Sequence, residues 1–326
     1  MLKLHELRGV LPALVSPLHR DGAVDEPAIS RLVEHVLAGG VHGVLALGST
    51  GEVASLDQAA RRTVLAAVVK AADGRVPVIC GVAQSRLADA IADVSAAAEL
   101  GAAAVLVAPP YYYPIDQPTV LSFYRTLAKT SPLPILVYNI PQNTKVVVEP
   151  ASVAALARDG SVAGIKDSSR DFEYFESVCV ATRGLPDFRI FTGSDTMLLA
   201  SLAMGGAGTI CGGANVAPGW VVRIFDDFER GDLKSRSSAP GFAARTRAGG
   251  AAGRVSIGDQ GGPAPSRSVR TVARPAGGAV GRSLGKCASP AAGWMGIAGG
   301  LQSGAGSAAM TSKRGAWRVA GDYSGN

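Results

Sequence analysis

A (β/α)8 barrel is the fold predicted for residues 1–235 of this 326-residue chain, and three observations carry it. Short runs rich in Val, Ile and Leu recur eight times. Amphipathic segments separate them, and the eight pairs fill about 230 residues, the size of one closed barrel. Runs that stay apolar without alternating belong to a parallel sheet covered on both faces. A doubly wound open sheet is the competing arrangement, and its dinucleotide fingerprint is a GxGxxG after the first strand. Here the first apolar run leads into SPLHRDG, and the glycines of GGAGTICGG fall before and after a strand.

The elements follow in order. The predicted strands are GVLPALVSPL (9–18), GVLALG (43–48), VPVICGV (76–82), AAVLVAP (103–109), LPILVYN (133–139), VAGIKD (162–167), FRIFTG (188–193) and AGTICGGANV (207–216). The first helix, DEPAISRLVEHVLAGG (25–40), has apolar residues near i, i+3 and i+4 and glycine at its C-terminal stop. DQAARRTVLAAVVKAAD (57–73) and RLADAIADVSAAAELG (86–101) repeat that period. The fifth helix, EPASVAALARDG, carries Pro just inside its start, and the eighth, PGWVVRIFDDFERGD, stops at Gly231.

Composition excludes several functions. An apolar share of 47% supports a large core, while an aromatic share of 6% argues against an aromatic-rich binding surface. No run reaches the roughly 18 apolar residues of a membrane span, and the N-terminus lacks a basic segment, a long apolar run and a small-residue cleavage site. A cytoplasmic protein is expected, with no membrane partner. Cys80, Cys179, Cys211 and Cys287 form no CxxC pair, and His5, His19, His35 and His42 have no HExxH setting, so neither a metal site nor a disulfide framework is expected.

The net charge of +6 divides unevenly along the chain. Residues 236–326 hold 12 Lys or Arg against 2 Asp or Glu, whereas residues 1–235 hold 20 against 24. The same 91 residues contain 20 of the 41 glycines, without helical or strand periodicity. A domain boundary is therefore expected near Ser235, with a Gly/Ala/Arg/Ser-rich tail beyond it.

Reactive groups in such barrels collect where strands end and the next loops begin. Three ends stand out: GSTGE (48–52), YN (138–139) and KD (166–167). Strand parity puts Lys166 on one face with Gly164 and Val162, and Tyr138 with Leu136. If Gly164 faces inward it leaves room beside Lys166, and neighbouring strands bring Tyr138 and Lys166 within hydrogen-bond reach. A lysine after a strand is also what a solvated strand end looks like, Gly-Ser-Thr-Gly is ordinary turn chemistry, and a core tyrosine explains Tyr138 equally well. Their convergence at successive strand ends favours chemistry. Desolvation in an apolar barrel mouth disfavours an ammonium and leaves a nucleophilic amine, whose target is a ketone or aldehyde and whose product is a Schiff base. A phenol nearby can shuttle protons, and the hydroxyls and amides of GSTGE can cradle a carboxylate. The combined demand is an α-keto acid.

GSTGE, PYY, YNIP, GIKD and GTICGGANV, in this order, resemble the dihydrodipicolinate synthase and N-acetylneuraminate lyase family, from about Gly9 to Asp232. The resemblance implies a (β/α)8 barrel, a class I pyruvate-type lyase needing no metal or organic cofactor, and a dimer or tetramer. It also implies that Lys166 forms the Schiff base and that Tyr138 shuttles the proton. Ser49 and Thr50 would bind the carboxylate, with Ser49 also in the proton relay. Tyr112 would complete that relay in a neighbouring subunit, and Ile210 would line the pyruvate pocket through its carbonyl.

Two departures qualify the implication. In the dihydrodipicolinate synthase branch an Arg is expected two residues after the Pro of YN-x-P, but Gln142 and Asn143 follow Pro141 here. Losing that guanidinium fork removes bidentate carboxylate recognition, and nearby Lys145 is only a point charge. The expected reaction is therefore aldol cleavage or dehydration of a 2-keto-3-deoxy sugar acid or related hydroxy keto acid. The alternatives are 4-hydroxy-tetrahydrodipicolinate synthase, joining pyruvate to aspartate semialdehyde, and a catalytically impaired barrel that binds or regulates. The second departure is the tail, where the family continues with helices. Its composition suggests a shifted reading frame; a natural disordered extension is the competing reading, and an RNA-binding tail is disfavoured by its few aromatics.

Overall fold

A computed structural model describes residues 7–232, together with two short strands at Arg254–Val255 and Val269–Arg270 that pair antiparallel. The expectations for the rest of the 236–326 segment lie outside the described residues. The main body is built from β1 (Gly9–Pro12), α1 (Glu26–Ala38), β2 (Val44–Ala46), α2 (Gln58–Ala72), β3 (Val78–Val82), α3 (Leu87–Glu99), β4 (Ala104–Val107) and α4 (Gln117–Thr130). It continues with β5 (Ile135–Asn139), α5 (Pro141–Thr144), α6 (Pro150–Arg158), β6 (Gly164–Asp167), α7 (Phe172–Ala181), β7 (Arg189–Thr192), α8 (Leu198–Ala203), β8 (Gly208–Cys211) and α9 (Pro218–Glu229).

The eight strands form one parallel sheet in the order β1-β8-β7-β6-β5-β4-β3-β2. At the β1–β2 seam, a bridge between Ala13 and Leu45 and a hydrogen bond from the Leu14 amide to the Leu45 carbonyl (2.9 Å) complete the (β/α)8 barrel. Strand parity then sorts the core into two layers. Leu11, Leu45, Ile79, Leu106, Leu136, Phe191 and Ile210 fill the barrel interior. Their neighbours Val10, Val44, Val105, Val137, Ile165 and Ile190 face the helices. Both faces of every strand are covered, which is why the strands read as unbroken apolar runs.

Short polar signals start the helices. Asp25, Asp57 and Asp116 accept from the amides of Ala28 (2.9 Å), Ala60 (2.7 Å) and Thr119 (3.0 Å), and each such cap contributes about 1 kcal/mol. All eight strands are shorter than the apolar runs that predict them, β1 and β8 by the most. β1 stops at Pro12, and β8 stops at Cys211 and gives way to a 3-10 turn, Gly213–Asn215. Beyond these ends a side chain continues the pairing: Asn215 donates to the Ala13 carbonyl (2.7 Å) and accepts from the Val15 amide (3.3 Å). The four-residue α5 is also additional to the eight expected helices.

One glycine is dictated by the mouth of the barrel. Leu47, just past β2, has a left-handed backbone (φ 58°), and this turns its carbonyl onto β3. A Cβ on Gly81 would lie 2.1 Å from that oxygen. Gly81→Ala must therefore push β2 and β3 apart. Urea denaturation followed by circular dichroism should show a loss of at least about 2 kcal/mol; a loss under 0.5 kcal/mol would mean that this approach is not tightly held.

Candidate active site

β5 and β6 run side by side with Tyr138 opposite Lys166 and Asn139 opposite Asp167. Pleating sends the two pairs to opposite faces. Tyr138 and Lys166 point into the barrel, at 6% and 4% exposure, while Asn139 and Asp167 are buried behind them. The Lys166 Nζ sits 4.6 Å from the centroid of the Tyr138 ring, a cation held over an aromatic face. The phenol points onward, and its oxygen donates to Ser49 Oγ at 3.3 Å. An amine, a phenol and a hydroxyl thus form a short chain from the barrel interior to the β2 loop. Tyr138 and Lys166 do lie together, but the amine meets the ring face, and the hydrogen bond of the phenol goes to Ser49 in place of Lys166.

Room for the lysine comes from a different glycine than expected. A Cβ on Gly164 would lie 2.4 Å from the Arg189 carbonyl, so that glycine lets β6 and β7 approach each other. The space beside Lys166 is left by Gly193 at the end of β7. A Cβ there would come within 3.0 Å of Lys166 Cε and 2.0 Å of Ser168 Oγ. Gly193 had no signal of its own in FRIFTG, because its role depends on what the neighbouring strand places opposite it.

The remaining expected residues surround this group at different distances. Thr50 is half-buried, and its hydroxyl lies 3.8 Å from the ideal Cβ position of Gly212, so the β2 and β8 loops meet across the mouth. Ile210 is fully buried in the interior layer opposite Leu11. Tyr112 is not brought to the group within this chain. It stands on the β4–α4 loop at 79% exposure, edge-to-face with Tyr113 (4.9 Å), in a left-handed backbone (φ 88°) unusual for an aromatic residue.

A buried network behind the site escaped the sequence reading. Asp167 accepts from Asn139 Nδ2 (2.8 Å), the Ser169 amide (3.1 Å) and Ser169 Oγ (2.9 Å), while Asn139 Oδ1 accepts from the Val148 amide (3.1 Å). It ties the ends of β5 and β6 together directly behind Tyr138 and Lys166. Burial raises the Asp167 pKa above the usual carboxylate range, against the lowering effect of the donors from Asn139 and Ser169. The YN and KD dipeptides were its only trace, since nothing in them says that the second residues pair.

Comparison with known proteins adds a finding of another kind. The model of the "Dihydrodipicolinate synthetase family" matches residues 6–239. A 4-hydroxy-tetrahydrodipicolinate synthase of Methanoculleus marisnigri is 36% identical over 69% of this chain and 77% of its own length. Among solved structures, a monomeric dihydrodipicolinate synthase variant superposes with a TM-score of 0.70 at 32% identity, covering 74% of this chain and 80% of the other. The YagE prophage protein of E. coli K12, solved in complex with pyruvate, gives 0.69 at 28% identity, covering 72% and 79%.

Two consequences of the buried network are measurable. Asn139→Ala leaves the buried Val148 amide without a partner and Asp167 Oδ1 with the Ser169 amide alone, and should lower stability by roughly 2 kcal/mol, read by denaturant unfolding. Because the folded pKa of Asp167 is raised, this carboxyl contributes stability below its unfolded value of about 3.9 and loses that contribution as pH rises through the folded value. The stability of the natural chain relative to Asp167→Asn should therefore fall as pH rises above about 4 and then level off. A difference that climbs with pH would contradict a burial-dominated carboxyl.

Proposed function

The chain belongs to the dihydrodipicolinate synthetase family of class I, Schiff-base lyases, and from that premise we propose that Lys166 is the lysine that forms the imine with pyruvate or a related keto acid. The observation that carries the proposal is the Lys166–Tyr138–Ser49 arrangement, with the amine over the ring and the phenol bonded to the hydroxyl. The burial of Lys166 in the barrel interior supports it, because the amine is held where a keto acid entering the mouth would meet it away from bulk water.

Lys166 Nζ adds to the C2 carbonyl, water leaves, and the imine nitrogen becomes an electron sink for C3. In the direction of bond formation, C3 loses a proton and the enamine adds to the carbonyl carbon of an aldehyde, whose oxygen takes a proton from Tyr138. In the reverse direction Tyr138 takes the C4 hydroxyl proton as the C3–C4 bond breaks, and the enamine is protonated and hydrolysed to release pyruvate. Ser49 is the next station for the Tyr138 proton. In this reading Ser49 and Thr50 hold the carboxylate beside C2, and Ile210 lines the pyruvate pocket through its carbonyl. The exposure and left-handed backbone of Tyr112 are consistent with a role in a neighbouring copy, and residues 1–235 are the catalytic unit in this reading.

For the second reactant, the names of relatives such as the Methanoculleus marisnigri protein support aspartate semialdehyde and hence 4-hydroxy-tetrahydrodipicolinate synthesis. A specific observation supports a second reading. Gln142, which donates to the Ser168 carbonyl (2.9 Å), and the exposed Asn143 stand where a guanidinium fork is expected. A 2-keto-3-deoxy sugar acid, or a related hydroxy keto acid, needs no such fork.

The test is incubation with pyruvate and borohydride followed by peptide mass spectrometry. A pyruvyl adduct is expected on the peptide holding Lys166 and should vanish in Lys166→Ala. Tyr138→Phe should still be trapped while its turnover falls ~10²–10⁴-fold. An unmodified but folded chain would instead favour a barrel that only binds. Assays with aspartate semialdehyde and with keto-deoxy sugar acids then separate the two readings.

A further inference from the structure

Beside the imine lysine, the barrel mouth carries two cations in an unusual setting. Lys145, at the end of α5, and Arg170, in the β6–α7 loop, both have left-handed backbones, at φ 62° and 66°. Glycine adopts that conformation freely, while a long side chain there is uncommon and marks sites where geometry outweighs local preference. The two loops are joined, because Gln142 Nε2 donates to the Ser168 carbonyl (2.9 Å), two residues before Arg170. Arg170 follows Lys166 by four residues, at most about 14 Å of extended chain, and the Asp167–Ser169 hydrogen bonds fold that stretch back on itself.

Neither cation is matched by a carboxylate. Among the described residues no ion pair includes Arg170 or Lys145; the Lys145 ammonium donates to the Gln142 carbonyl (2.9 Å). Asp171, next to Arg170, is engaged elsewhere, since its Oδ1 accepts from the Glu173 (3.0 Å) and Tyr174 (3.2 Å) amides at the start of α7. That capping also occupies the helix N-terminus, so anion recognition at this rim falls to side-chain cations.

We propose that Arg170, seconded by Lys145, is the specificity-determining residue that binds a substrate carboxylate distal to the reacting carbonyl. It takes over from the β6 loop the task for which Gln142 and Asn143 lack the chemistry. The inference rests on Lys166 forming the imine and deepens that reading by assigning the site a keto acid with a second carboxylate at its far end. A guanidinium suits this task because its planar fork meets a carboxylate with two parallel hydrogen bonds.

The experiment compares borohydride trapping of the full chain by two keto acids of equal length, 2-oxoglutarate and 2-oxopentanoate, which differ only in the distal carboxylate; pyruvate is the control. The natural chain should half-saturate at a lower concentration of 2-oxoglutarate. Arg170→Gly suits the left-handed backbone, so folding is preserved. It should erase about tenfold or more of that preference while leaving pyruvate within twofold. Arg170→Lys should retain part of it, and Lys145→Ala should lose less than Arg170→Gly. An unchanged preference in Arg170→Gly, or none in the natural chain, overturns the proposal. Absence of a pyruvate adduct overturns the imine reading and this inference with it.

Discussion

The register of β5 against β6 is the constraint on which the site depends. Parallel strands pair at fixed intervals and their side chains alternate, so a slip by one residue would send Lys166 to the helix side and bring Asp167 into the barrel. Two devices oppose that slip. The apolar layers penalise it along the whole strand, because Ile165 would leave the helix interface and enter the interior. The Asn139–Asp167 hydrogen bond opposes it at the strand ends, where the ladder is running out and the chemistry begins. Packing and reactivity are thus set by the same pairing.

That arrangement asks the barrel to hold a lysine where aliphatic side chains would otherwise meet. The aromatic face of Tyr138 gives the lysine amine a favourable neighbour inside the barrel. Glycines supply the remaining space, each for its own reason. Gly164 lets two backbones touch, Gly81 accommodates a carbonyl turned by its left-handed neighbour, and Gly193 leaves volume for the lysine stem. Substituting any of them changes where the strands lie, so the shape of the site and the closure of the barrel are coupled.

Membership of the family accounts for the fold and for lyase chemistry through a lysine imine, while the rim of the mouth carries this chain's individuality. The β5 loop has a neutral amide pair at Gln142 and Asn143, and positive charge sits instead on Lys145 and in the β6 loop at Arg170. Loops at a barrel mouth exchange residues with little cost to the layers beneath, because their side chains contribute little to the core. No helix among the described residues is long and apolar enough to cross a membrane.

Much of this was legible in the residues alone. Eight unbroken apolar runs separated by amphipathic segments determined a parallel sheet covered on both faces, because burial on two sides removes alternation from a strand. Strand parity likewise predicted that Tyr138 and Lys166 share the inner face. The tertiary structure alone decided that the amine lies over the ring, that Gly193 and not Gly164 provides its space, that Asn139 and Asp167 lock the strands from behind, and that Asn215 fastens the β1–β8 mouth. Periodicity is local and survives in one dimension; these contacts join residues tens to hundreds of positions apart, and their existence depends on how closely the closed barrel brings backbone to backbone.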